Sequence, residues 1–261
     1  MTSSKAETFA ALHRPGDPLL LPNAWDVGSA VAIAAAGARA IATTSAGVAW
    51  SLGFADGADL GADRVAAVVE RIAAAVGLPV SADIEAGYDS VEETVTAVVQ
   101  AGAVGVNIED RVDGAMLDPA EQAGRLAAAR AAADRLGVPV WINARTDVYL
   151  AGSGRLDEVK RRAEAYAAAG ADSVFVPGLV DLAALAELSA GPLPVAAMAW
   201  AGAPGVREFA SAGVARVSLG SAIAQAAYAL AARAATELLE KGGYDATGDG
   251  LPYDKMNALY K

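Results

Sequence analysis

The chain has 261 residues, 54% of them hydrophobic, with no cysteine, one histidine and a formal net charge of −11. Without cysteine there are no disulfides, zinc–thiolate centres or thiol nucleophiles, and the one histidine, His13, leaves no basis for a His-rich metal site and little for a Ser-His-Asp triad. The excess of 31 acidic over 20 basic residues argues against nucleic acid and against anionic membrane surfaces as partners, although a local metal ion or arginine can reverse the field inside one cleft.

Met1 to Ala6 carry no apolar signal core. No uncharged apolar run approaches the ~20 residues of a membrane span, so the protein is expected to be soluble and cytoplasmic. Leu19-Leu20-Leu21 is the first short apolar run. Further runs follow near Ala40–Thr43, Val80–Asp83, Val104–Glu109, Val138–Asn143, Ser173–Val176, Val195–Met198 and Arg216–Leu219, which makes eight predicted strands. Helical stretches alternate with them near Val27–Ala36, Ala62–Val76, Val91–Ala101, Pro119–Leu136, Leu156–Ala169, Leu182–Leu188, Gly205–Ala212 and Ala222–Leu239. Glycines follow several of these stretches, at Gly37, Gly102, Gly137, Gly170 and Gly213, where a left-handed C-cap is cheapest. Asp118-Pro119-Ala120-Glu121 marks a helix start, with an acid at the N-cap, proline at N1 and glutamate at N3.

Eight strand–helix units fit a single-domain α/β fold, the (β/α)₈ or TIM barrel, for which roughly 250 residues is typical. A doubly wound open sheet is the alternative, but its Gly-rich turn after the first strand is missing: Pro22-Asn23-Ala24-Trp25-Asp26 stands there. The barrel is assigned to residues 1–240, and the tail, 241–261, is expected to pack on the barrel or on a neighbouring subunit.

Three of the apolar runs end in charge. Asp83 and Glu85 end the third strand, Glu109 and Asp110 the fourth, Arg145 and Asp147 the fifth. In a barrel all strand C-termini reach one rim, and adjacent strands stand ~4.8 Å apart. Carboxylates gathered there without histidine or cysteine suit a hard cation with oxygen ligands, best Mg²⁺. Arg145 would then hold a substrate carboxylate or phosphonate; the alternative is that it only pairs with Asp83 or Glu109. Thr44, Ser45 and Gly47 after the second strand suit a carboxylate, or form a plain turn. Asp56 is either an outer member of the site or a turn residue. Gly220-Ser221 opens the last helix, as a phosphate site or as an N-cap. Trp25, Trp50 and Trp200 follow strands on the same rim, to roof the pocket or to pack.

Together, Asp83-x-Glu85-x-Gly87-Tyr88, Ile108-Glu109-Asp110, Ala144-Arg145, Ser45-Ala46-Gly47-Val48, Leu52-Gly53 and Asp56 resemble the isocitrate lyase / phosphoenolpyruvate mutase superfamily, from about Leu19 to Leu239. The resemblance implies a magnesium-dependent barrel, with Mn²⁺ as the alternative ion, in a homo-oligomer (a tetramer or dimer) that exchanges its eighth helix. It implies small 2-oxo or 2-hydroxy acid or phosphonate substrates. By position, Asp83, Glu85 and Glu109 would be metal ligands, direct or through water. Arg145 would hold the substrate, with Thr44, Ser45, Gly47, Asp56 and Asp83 around it; Arg145, Glu109 and Tyr88 are the catalytic candidates. The family's lyases carry a cysteine in a Lys-Lys-Cys-Gly-His loop after strand four, and its mutases place Lys and Asn there. Here the loop reads Arg111-Val112-Asp113-Gly114-Ala115-Met116-Leu117, which places the chain in a cysteine-less branch. The expected reaction is C–C cleavage of a small di- or tricarboxylate by a lyase or hydrolase. The alternatives are C–P chemistry, or a barrel that only binds a metabolite. Tyr88, Arg111, Asp113 or a water would supply the proton or nucleophile.

Overall fold

The computed structural model describes residues 2–152 and 154–260. A nine-stranded parallel sheet curls into a nearly closed barrel. Its strands are β1 (Leu19–Leu21), β2 (Asn23–Ala24), β3 (Ile41–Thr43), β4 (Val80–Asp83), β5 (Gly105–Glu109), β8 (Trp141–Arg145), β9 (Ser173–Phe175), β10 (Val195–Met198) and β11 (Arg216–Ser218). Two further short strands, β6 (Arg111–Val112) and β7 (Ala115–Met116), form an antiparallel hairpin in the loop after β5. The first stave is split: β1 pairs with β11 and β2 with β3, so one stretch of chain joins the two ends of the sheet. The break falls at Pro22, which has no N–H for a ladder but whose carbonyl accepts from Ala42 N.

The helices are α1 (Thr2–Leu12), α2 (Val27–Ala35), α3 (Ser45–Ser51), α4 (Gly61–Ala75), α5 (Val91–Gln100), α6 (Pro119–Leu136), α7 (Leu156–Ala168), α8 (Leu182–Ser189), α9 (Val206–Ser211), α10 (Ala222–Lys241) and α11 (Tyr253–Ala258). Helix α6 has the predicted bounds, with Asp118 accepting from Ala120 N and Gly137 left-handed at the C-terminus. The fifth stave begins at Trp141 rather than Val138 and runs on to Arg145; Pro139 lacks a donor, and Val140 N turns back to Val138 O. Helices α1 and α3 were not foreseen. Helix α1 plugs the barrel floor with Ala6, Phe9 and Leu12, packed against Leu19, Leu21 and Ala42. Leu259 in the tail packs on the cluster between α2 and α4, and Tyr260 reaches Trp25 and Gly28. Among the described residues, no helix is long and apolar enough to cross a membrane.

Candidate active site

Alternation along the staves decides what enters the barrel. On β5, Gly105, Asn107 and Glu109 share one face; on β8, Trp141, Asn143 and Arg145 do. The register sets Asp83 beside Asn107 and Asn107 beside Asn143. It also sets Glu109 directly opposite Arg145, and their side chains meet at 2.7 Å between Oε2 and Nη1. Asp147 clamps the same guanidinium, accepting from Nε at 2.7 Å and from Nη2 at 2.9 Å.

Asp83 is held from one side. Ser45 donates to its Oδ2 from N–H at 3.3 Å and from Oγ at 3.1 Å, while Oδ1 is buried without a hydrogen-bond partner. Glu85 stands in a left-handed backbone conformation (φ 50°) and accepts from the Tyr88 hydroxyl at 3.1 Å. Burial first, then the charge of Asp83, pushes Glu85 up to about 7. Burial also pushes Glu109 up to about 8, where the Asp83, Asp147 and Glu85 charges add to it and Arg145 opposes it. Tyr88 is held protonated far above the usual phenol range by burial and by the Glu85 charge.

Among the described residues, no three acidic or histidine side chains are grouped so as to hold a metal ion as they stand. Glu109 is turned to Arg145 and Glu85 to Tyr88. The donor set nevertheless fits a hard cation: Asp83, Glu85 and Glu109 are oxygen donors, one Asp83 oxygen is unpartnered, and among the described residues Arg145 is the one cation lining the cavity with Asp83.

A cavity of about 220 Å³ opens above Asp83 and Arg145. Thr44, Ser45, Ala46 and Asp56 line it, as does Ser221. Gly47 does not; it is buried under Thr44 and Trp25, where a Cβ would stand 2.8 Å from each. Glu85, Tyr88 and Glu109 line an adjoining cavity with Arg111 and Asp113. Asp110 departs from the expected rim cluster. It is fully buried on the outer face of β5's end, bonded to Arg162 Nη1 at 2.8 Å, Tyr166 Oη at 2.7 Å and Asp147 N at 3.0 Å. The physical reason is alternation, which turns Asp110 away from the side that Glu109 faces. Trp25 and Trp50 pack against Tyr228 of α10 and do not line this cavity.

Sequence reading missed Asn23 and Asn107, and Leu150, Phe175, Pro177 and Met198, which all line the cavity. Period-two spacing from Glu109 would have found Asn107. It also missed Arg216, buried in the barrel interior, whose Nη2 donates to Asn107 Oδ1 at 3.2 Å. Burial lowers Arg216 to about 10, against the pull of Asp83.

The family model described as phosphoenolpyruvate phosphomutase matches residues 9–239. The chain belongs to that family. An uncharacterised Mycobacterium tuberculosis member is 42% identical over 234 residues, 87% of either chain. The 2-methylisocitrate lyase of Escherichia coli is 33% identical over 195 residues, 69% of this chain and 64% of the relative. A Burkholderia cenocepacia J2315 structure provisionally described as a lyase/mutase superposes with a TM-score of 0.92 at 38% identity, over 99% of this chain and 96% of the other. Oxaloacetate acetylhydrolase in complex with the product oxalate gives 0.88 at 25% identity, over 98% and 93%. The phosphoenolpyruvate phosphomutase family therefore supplies this chain with enzyme relatives that include carbon–carbon lyases.

Proposed function

We propose that this protein cleaves a C–C bond of a small 2-oxo or 2-hydroxy acid, as a lyase or hydrolase, with Mg²⁺ held by Asp83, Glu85 and Glu109, directly or through water. The observation that carries the reading is the excess of half-buried carboxylate over cation at one rim: Asp83 with a free oxygen, and Glu85 and Glu109 driven up by burial and by the charge of Asp83. A divalent ion held there supplies a positive centre beside the oxygen that gains charge when the bond breaks.

The chain's own residues do the rest. Asp147 and Glu109 fix the Arg145 guanidinium from two sides, so its remaining N–H groups meet the substrate carboxylate already oriented. Ser45 turns Asp83 so that Oδ1 stays available. Thr44 and Asp56 wall the same cavity. Tyr88 holds Glu85, and Tyr88, Arg111, Asp113 or a water of the cavity that they line would move the proton. The lyase names of relatives and the oxalate bound to oxaloacetate acetylhydrolase support this chemistry. We also propose that the working form is a homo-oligomer.

Oxalate tests the site. Titration calorimetry with Mg²⁺ is expected to show oxalate binding that EDTA removes and that Asp83→Asn weakens at least tenfold, since a direct ligand matters no less than the outer-shell groups whose loss costs about 10–100-fold. Oxalate affinity indifferent to both would sink the proposal. Phosphate release from phosphonopyruvate, with no turnover of oxaloacetate, 2-methylisocitrate or dimethylmalate, would favour C–P chemistry instead.

A further inference from the structure

Arg216 is a cation inside the barrel with no acid bonded to it. It is 1% exposed. Among the described residues its guanidinium forms no ion pair. It makes one hydrogen bond, from Nη2 to Asn107 Oδ1 at 3.2 Å, while Nε and Nη1 are buried without a partner. A charge left so in a protein interior is costly unless something offsets it.

What offsets it is the acid rim. Asn107 stands beside Asp83 in the register of β4 and β5, so the guanidinium lies one side chain away from that carboxylate. Asp83 has its own Oδ1 buried and unpartnered, and the carboxylate whose charge pulls on Arg216 is that of Asp83. Arg145, the other cation near the rim, is taken up by Glu109 and Asp147. His13, on the floor side, is held neutral by burial and by Arg216 itself and adds no charge. An unpaired cation below and a surplus of carboxylate above therefore face each other through an interior of low dielectric, where such forces reach far.

We infer that Arg216 is the buried counter-charge of the metal site: it steadies Asp83 while no divalent ion is bound, and its repulsion limits how tightly the rim holds one. This rests on the metal site proposed above. The effect belongs to the charge and not to the Asn107 amide, because Asn143 Nδ2 also donates to Asn107 Oδ1, at 2.8 Å, and keeps that oxygen satisfied when Arg216 is replaced.

Mg²⁺ affinity reads this charge. In titration calorimetry on the full chain, Arg216→Met is expected to bind Mg²⁺ about tenfold tighter or more, because a buried positive charge repels a divalent ion twice as strongly as a monovalent one. Arg216→Lys keeps the charge and is expected to stay within about threefold of the wild type. A Met variant that binds Mg²⁺ no tighter than the wild type, or a Lys variant that shifts as far as the Met variant, overturns the inference, while Mg²⁺-dependent oxalate binding by the wild type leaves the site itself standing. Should Arg216→Met fail to fold, Asp83→Asn reads the pair from the other side. In EDTA it is expected to lower the melting temperature of the chain, because it strips the buried guanidinium of the carboxylate that offsets it; a melting temperature unchanged or raised overturns the inference. Wild-type protein that binds no Mg²⁺ overturns both the inference and the site.

Discussion

His13 shows what burial does to one side chain. Its ring stacks on Trp141 with centroids 4.1 Å apart and meets the Phe9 ring edge-on at 4.7 Å. Nδ1 pairs with the Phe9 carbonyl at 2.8 Å, and Nε2 is buried without a partner. Burial first, then the Arg216 charge, lowers its pKa from 6.5 to about 3. Above pH 6.5 neither the folded nor the unfolded chain protonates this residue, and its contribution is complete. Below that, the unfolded chain takes up a proton that the folded chain refuses until about pH 3, so stability falls with pH across the window. In urea titrations at pH 6.5 and pH 4, His13→Gln is expected to lose about 3 kcal/mol less than the wild type over that step. Parallel losses in the two proteins would mean that His13 titrates normally in the fold.

At the scale of elements, the barrel floor depends on α1 meeting β5. A Cβ at Gly105 would lie 2.6 Å from Phe9 Cε1 and 3.1 Å from Ser81 Oγ. Phe9 is fully buried. Gly105→Ala therefore overpacks the floor and is expected to cost about 1–3 kcal/mol, while Phe9→Ala leaves a hole and costs about 3–5 kcal/mol. Together they relieve one another, so Gly105→Ala in the Phe9→Ala background is expected to be close to neutral by denaturant unfolding. Strict additivity of the two would show that the helix and the stave do not touch as described.

For the whole molecule, the barrel's longest helix leaves most of its length uncovered. Helix α10 buries only Ala224. Along it and the tail, Tyr228, Leu230, Leu238, Leu239 and Tyr253 face outward, the last two at 84% and 85% exposure. Apolar surface of that extent is characteristic of an association face. Light scattering is expected to report a multiple of the chain mass, and Leu239→Glu to shift it downward at little expense to the fold, because that side chain is exposed within one chain. A wild-type monomer at micromolar concentration would contradict the proposed assembly.

The sequence by itself determined the order of the eight staves and of the eight helices between them, the rim where charge collects, and the acids placed there. Each follows from local rules: apolar runs, the cap around Asp118 and Gly137, and the fact that parallel staves all end on one side. Asp83, Glu85, Glu109 and Arg145 could be named because they are charges at the ends of such runs. Only the tertiary structure decided which of the neighbouring acids face inward. Alternation and register set Glu109 opposite Arg145 and send Asp110 out to Arg162 and Tyr166. The plug of α1, the burial of Arg216 and the place of Leu150, Phe175, Pro177 and Met198 around the cavity were likewise beyond reach of the linear pattern. They join residues far apart in the chain, and that proximity exists only once the barrel has closed.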